Sequence, residues 1–142
     1  MTDTVERSDA SSCFVCGSEN PHGLQIKFSL DGAFCRGIFQ SSKTHVGFDG
    51  VTHGGIVFAV LDDAMANWFY LQGARGYTAK AEIRYRNPLP VGVRAEIECE
   101  VLKRKGRLVQ LKARIFSDEQ TFAESEGSFM LEDFGNLNGD QT

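Results

Sequence analysis

Apolar residues along the chain alternate, stop alternating for one long stretch, and then alternate again. Leu24, Ile26, Phe28 and Leu30 are separated by single intervening residues, the period-two mark of a half-buried strand. Asp31-Gly32 is a type I′ hairpin signal, and residues 33–39 answer as the returning strand. Residues 41–52, with Gly47, Asp49 and Gly50, read as a loop. Then 13 of the 16 residues from Ile56 to Leu71 are apolar. That is too many for a one-sided surface helix, so a helix over about 54–72 is expected to be buried nearly all round. Gly73 and Gly76 supply its stop.

Alternation returns at residues 78–86. Ala79, Ala81, Ile83 and Tyr85 fall on one face, and Lys80, Glu82, Arg84 and Arg86 on the other. Asn87-Pro88-Leu89-Pro90 breaks the strand, and further strands are expected over 93–102, 108–116 and 121–131. The order is two strands, one long helix, then four strands. A single nearly all-apolar helix among antiparallel strands predicts an α+β fold, an antiparallel sheet wrapped around a central helix. One domain over residues 13–131 is expected, with flexible tails at 1–12 and 132–142.

A net charge of −4 argues against a nucleic-acid-binding surface, which needs a strong basic excess. Residues 1–12 are polar and lack the apolar run of a signal peptide. The most apolar stretch, 56–71, is interrupted by Asp62, Asp63 and Asn67 and is short for a membrane span. A cytoplasmic protein without a membrane partner is the expectation. Cys13 and Cys16 form a C-x-x-C followed by Gly17, half of a zinc-knuckle pattern. His22 offers a third ligand, but no fourth is evident, so reduced cysteines in a tight turn are expected and no metal.

The helix carries the candidate chemistry. Asp62 and Asp63 point about 100° apart, so at most one faces the core squarely; the other meets solvent or a cation. An ionised carboxylate in such a helix is costly without partners. Gly54-Gly55 opens the helix, where the first backbone N–H groups lack internal acceptors and lie at the positive end of the dipole. Glycine allows a ligand to approach those N–H groups, which suits an oxyanion site, although a glycine pair also permits tight helix packing. Eight residues separate Gly54 from Asp62, about 12 Å along the axis. One small reacting centre does not reach both on one helix. Two antiparallel copies of the helix, in a homodimer, would bring them together.

The run His53-Gly54-Gly55-Ile56-Val57-Phe58-Ala59-Val60-Leu61-Asp62 resembles the hotdog-fold thioesterase superfamily, in the branch of the 4-hydroxybenzoyl-CoA and phenylacetyl-CoA type enzymes. The likeness extends through residues 78–88 and includes the lead-in Cys13-Phe14-Val15-Cys16-Gly17 with Asn20-Pro21-His22-Gly23-Leu24. It implies a hotdog fold and an acyl-CoA thioesterase assembled as a homodimer or a dimer of dimers, with no cofactor. Residue by residue, it implies that Asp62 is general base or nucleophile. The Gly54 N–H polarises the thioester carbonyl, with Gly55 beside it. His53 orients that carbonyl, and Thr78 positions the attacking water. Some relatives carry an Asn six residues before the His; here that position is Gly47, with His45 and Asp49 as possible substitutes. Arg84, Arg86 and Arg104, with Lys103, Lys105 and Arg107, are candidates for the CoA phosphates, or form a solvated face and turn. Phe14, Phe48, Trp68, Phe69 and Tyr70 are candidates for an acyl pocket, or are core.

Two rival readings share the fold. Hotdog dehydratases use a His before the helix and an acidic residue followed by Ala-Met-Ala. Asp63-Ala64-Met65-Ala66 with His45 echoes this, but the Pro-Gly-rich loop of those enzymes is missing. A non-catalytic acyl-CoA-binding dimer is the other.

Overall fold

The computed structural model describes residues 2–3, 10–118 and 120–132. Strands β1 (Thr2–Asp3), β2 (Ser29–Asp31), β3 (Phe34–Gln40), β4 (Arg75–Tyr85), β5 (Arg94–Lys105), β6 (Leu108–Ser117) and β7 (Gln120–Glu132) form one sheet in the order β1-β2-β3-β5-β6-β7-β4. Every neighbouring pair is antiparallel. Helix α1 (Gly54–Tyr70) follows β3 and a short 3-10 turn at Lys43–His45, and packs against strands β3 to β7. This is the hotdog fold, an antiparallel sheet curled around one long helix. Among the described residues no helix is long and apolar enough to cross a membrane. Residues 4–9 and 133–142, within the two expected tails, lie outside the described residues.

Period-two alternation produces the sheet's inner face. Ala95, Ile97 and Cys99 on β5, Val109, Leu111, Ala113 and Ile115 on β6, and Phe129 and Leu131 on β7 are buried. The intervening residues form a charged outer face, where Glu98 takes both Arg36 and Arg114. The helix meets the inner face with Val57, Val60, Leu61, Ala64, Met65, Trp68 and Phe69. Its far side, including Phe58, Ala59, Asp62 and Ala66, is only half-buried. Burial nearly all round is therefore not reached within one chain, because one sheet covers one side of a helix.

The first expected strand is shorter than its alternation suggested. Ile26, Phe28 and Leu30 are buried as the pattern requires, yet β2 begins only at Ser29. Gln25 sits at φ 53°, which breaks an extended run. The N–H groups of Leu24 and Ile26 donate to Phe14 O at 2.8 Å and Val15 O at 2.9 Å. The lead-in takes these bonds instead of β3.

The helix ends where the glycines indicated. Gly73 adopts φ 82°, and the Ala74 N–H turns back to Phe69 O at 3.1 Å. The chain reverses so sharply that β4 starts at Arg75 rather than at Thr78. Gly76 makes this possible: a Cβ there would lie 2.5 Å from Cδ2 of Phe69, a fully buried ring that also packs on Phe129. Gly76→Ala is expected to destabilise the fold by about 1–3 kcal/mol, the usual cost of forcing extra volume into a packed core. The readout is a lower urea midpoint at unchanged m value.

Candidate active site

His53 is the N-cap of α1, with extended backbone (φ −60°, ψ 131°). Its Nδ1 accepts the Gly55 N–H at 2.9 Å, which places the proton of the neutral ring on Nε2. The Tyr85 hydroxyl donates to Gly54 O at 2.7 Å. The peptide unit joining Gly54 to Gly55 is thus held at both ends. The Gly54 N–H, one residue earlier, has no acceptor among the described residues. Of the two glycine amides singled out in the sequence, Gly55 is committed to its own cap and Gly54 is not. A Cβ on Gly55 would come within 3.1 Å of the His53 ring, so glycine there lets the ring lie over the first turn.

Phe48, His53, Gly54, Val57 and Tyr85 line an open depression of about 580 Å³ at this end of the helix. Phe48 is 86% exposed and projects beside it. Trp68 and Phe69, considered for an acyl pocket, belong to the core instead. Gly47 lies against His53, since a Cβ there would stand 3.5 Å from Cδ2 of the ring. The position at which some relatives carry Asn is therefore next to the cap in space. The His45 ring is held at the 3-10 turn, where its Nδ1 accepts the Ser42 N–H at 3.0 Å.

Two turns along, the Thr78 hydroxyl donates to Asp62 Oδ1 at 2.8 Å. The β4–β7 register shifts just past Thr78, a bulge that re-aims the strand at the helix. Asp63 turns elsewhere: the Asn67 side chain donates to its Oδ2 at 2.9 Å, and the Cys13 thiol lies 3.6 Å from its Oδ1. The structure therefore joins Asp62 with Thr78, and Gly47, His53, Gly54 and Gly55 with one another. The two groups stay about 12 Å apart along one helix.

Tyr85 was not singled out as a site residue. Alternation grouped it with Ala79, Ala81 and Ile83 on one face of β4, but only the tertiary course of β4, antiparallel to α1, carries it to Gly54. Partial burial raises its pKa, so it remains a phenol and donates.

The candidate cations separate. Arg86 grips Glu124 through Nη2 at 2.9 Å and Nε at 3.0 Å, near the Gly54 end. Arg84 is exposed near the end of β4. Arg104 pairs with Val109 in the row that runs through Phe129 to Thr78, three strand spacings or about 14 Å away. Its Nε donates to Gly106 O at 2.8 Å in the β5–β6 turn.

The family model described as the thioesterase superfamily matches residues 49–124, more than half of the 142 residues. The chain belongs to that superfamily. It is 30% identical over 95 residues to acyl-coenzyme A thioesterase THEM5 of Mus musculus, an alignment covering 66% of this chain and 38% of that protein. The chain spans about two fifths of the length of the curated relatives it matches. A solved thioesterase superfamily protein aligns with a TM-score of 0.78 at 24% identity, covering 84% of this chain and 60% of that one. A hypothetical thioesterase protein from Streptococcus pneumoniae, solved with coenzyme A, aligns with a TM-score of 0.66 at 17% identity, covering 71% of this chain and 82% of that one.

Arg86 holds the Glu124 carboxyl below its ordinary pKa, chiefly by hydrogen bonding. The folded value lies below the unfolded one, so this pair stabilises the fold above the unfolded carboxyl pKa. That contribution is lost as pH falls through the folded value. In Arg86→Gln the Glu124 titration is expected to move back up and the acid-side loss to shrink. Carboxyl NMR titration and urea midpoints on either side of the carboxylate range check both.

Proposed function

We propose that this chain hydrolyses an acyl-CoA thioester, at a site that two copies of the chain complete together. The observation that carries the reading is the unengaged Gly54 N–H, held at a rigid helix start that opens onto the depression. That donor suits a thioester oxygen gaining charge on attack, and the positive helix end adds to it. Asp62, held by Thr78, supplies the carboxylate that draws a proton from water or attacks the carbonyl carbon. Hydrolysis adds water across the acyl–sulfur bond, so the acid leaves with the new oxygen and CoA leaves as its thiol. Support for the substrate class comes from the THEM5 relative, named an acyl-CoA thioesterase, and from the S. pneumoniae neighbour that holds coenzyme A.

The shared site follows from distance and exposure. The half-buried side of α1 carries Asp62, and a second helix packed antiparallel on it puts one copy's Gly54 beside the other's Asp62. The dehydratase reading is less well supported, because Asp63, its acidic residue, faces Cys13 and Asn67.

Thiol release from a panel of acyl-CoAs tests the reading. Asp62→Asn is expected to lower kcat by about 10²–10⁴, as for loss of a general base. Gly54→Pro removes the N–H and adds a ring whose Cβ would stand 3.4 Å from the Tyr85 hydroxyl; proline is favoured at the first helical position, and His53 at ψ 131° already has the backbone a proline requires before it. It is expected to cost about 10²–10³. Coexpressing the two variants rebuilds one intact site per mixed dimer when sites are shared. Release unaffected by Asp62→Asn overturns the mechanism, and mixed dimers as inactive as their parents overturn the sharing.

A further inference from the structure

The lead-in contains a second cluster that the proposed reaction does not use. Cys13 Sγ, Cys16 Sγ and one oxygen of Asp63 all lie within 4.8 Å of one another. They come from a turn and from the middle of α1, 50 residues apart in sequence for Cys13 and Asp63. His22, the third ligand the C-x-x-C pattern suggested, is exposed and does not belong to this group.

We infer that Cys13, Cys16 and Asp63 form a zinc-type cation site that fastens the lead-in to the central helix. Three features of its construction support this. First, the Cys13 Sγ to Asp63 Oδ1 distance is 3.6 Å. Sulfur and oxygen ligands at about 2.3 Å and 2.1 Å from one tetrahedral zinc stand about 3.6 Å apart. Second, the turn is shaped to present sulfur. The Cys16 N–H points at Cys13 Sγ at 3.5 Å, and the Gly17 N–H donates to Cys13 O at 2.9 Å. A Cβ at Gly17 would lie 2.3 Å from Cys13 N, so only glycine closes this loop. Third, the carboxylate is oriented from behind. Asn67 is 2% exposed and donates to both Asp63 Oδ2 and Asp63 O at 2.9 Å. Such outer partners fix the aim of metal-binding carboxylates.

Solvent supplies the fourth ligand, since Cys13 and Cys16 are only half-buried. Each thiol releases its proton to solvent as the ion binds, so two protons leave per ion. Affinity therefore rises with pH.

Zinc content after equilibration with zinc and dialysis under reducing conditions tests the site, together with cobalt titration of the metal-free chain. About one ion per chain is expected, with a thiolate-to-cobalt charge-transfer band. The Cys13→Ser/Cys16→Ser double variant is expected to lose both signals, and Asn67→Ala to weaken binding about 10- to 100-fold. His22→Ala is expected to retain the ion. Cobalt binding to the folded wild-type chain is read directly, so poor folding of a variant does not decide the outcome. A folded, reduced wild-type chain that takes up neither metal overturns the inference. Equal retention by the double variant, or loss in His22→Ala, overturns the ligand set.

Discussion

Helix α1 is apolar around most of its circumference, and the sheet that folds over it reaches only one side. Burying apolar surface stabilises by roughly 25 cal/mol per Å², so the helix organises the whole chain. Strands β3 to β7 spread across its inner side, and the edge strand β4 runs back along it. Three contacts fasten β4 to the helix in order. Gly76 admits the Phe69 ring, Thr78 donates to Asp62, and Tyr85 donates to Gly54 O. The first is packing and the other two are hydrogen bonds at the candidate site. The strand that closes the core is thus also the strand that aims both ends of the proposed site.

The start of α1 shows how a common feature becomes a specific one. Every helix begins with unpaired N–H groups, and most are satisfied by a cap or by water. Here the cap satisfies Gly55 and leaves the Gly54 N–H without an acceptor among the described residues, while Tyr85 fixes the intervening peptide from the other side. A donor held in this way need not reorganise as charge develops on its partner, and preorganisation of this kind is where electrostatic catalysis gains most. The hydroxyl of Tyr85 therefore fixes the peptide that follows the Gly54 amide.

Much of this was legible in the sequence, for reasons that differ by element. Strands β5, β6 and β7 alternate cleanly because one face packs on a helix and the other meets water. Helix α1 was legible from its unbroken apolar run and the glycines after it. The start of β2 was not, because residues 24–26 alternate as a strand does while their N–H groups go to the Cys13–Cys16 turn, a tertiary choice that periodicity does not encode. The His53-Gly54-Gly55 and Asp62 positions could be read from spacing and resemblance. Tyr85 could not, since 31 residues separate it from Gly54. Arg86 looked like any exposed cation, but just past the end of β4 its guanidinium meets Glu124.

The two adjacent carboxylates clarify each other. Residues 62 and 63 diverge by about 100° around the helix, so fixing the direction of one fixes the other. Asp63 is held on the side of the lead-in by Asn67 and Cys13, and the Trp68 indole, donating to Ala33 O at 3.2 Å, anchors the same helix to the β2–β3 turn. With its rotation set by these contacts, α1 has no freedom to turn Asp62 into the core, where an unpaired carboxylate is costly. Asp62 is left on the half-buried side, within reach of Thr78 and open to whatever packs there. The lead-in thereby helps decide which way the carboxylate of the candidate site points.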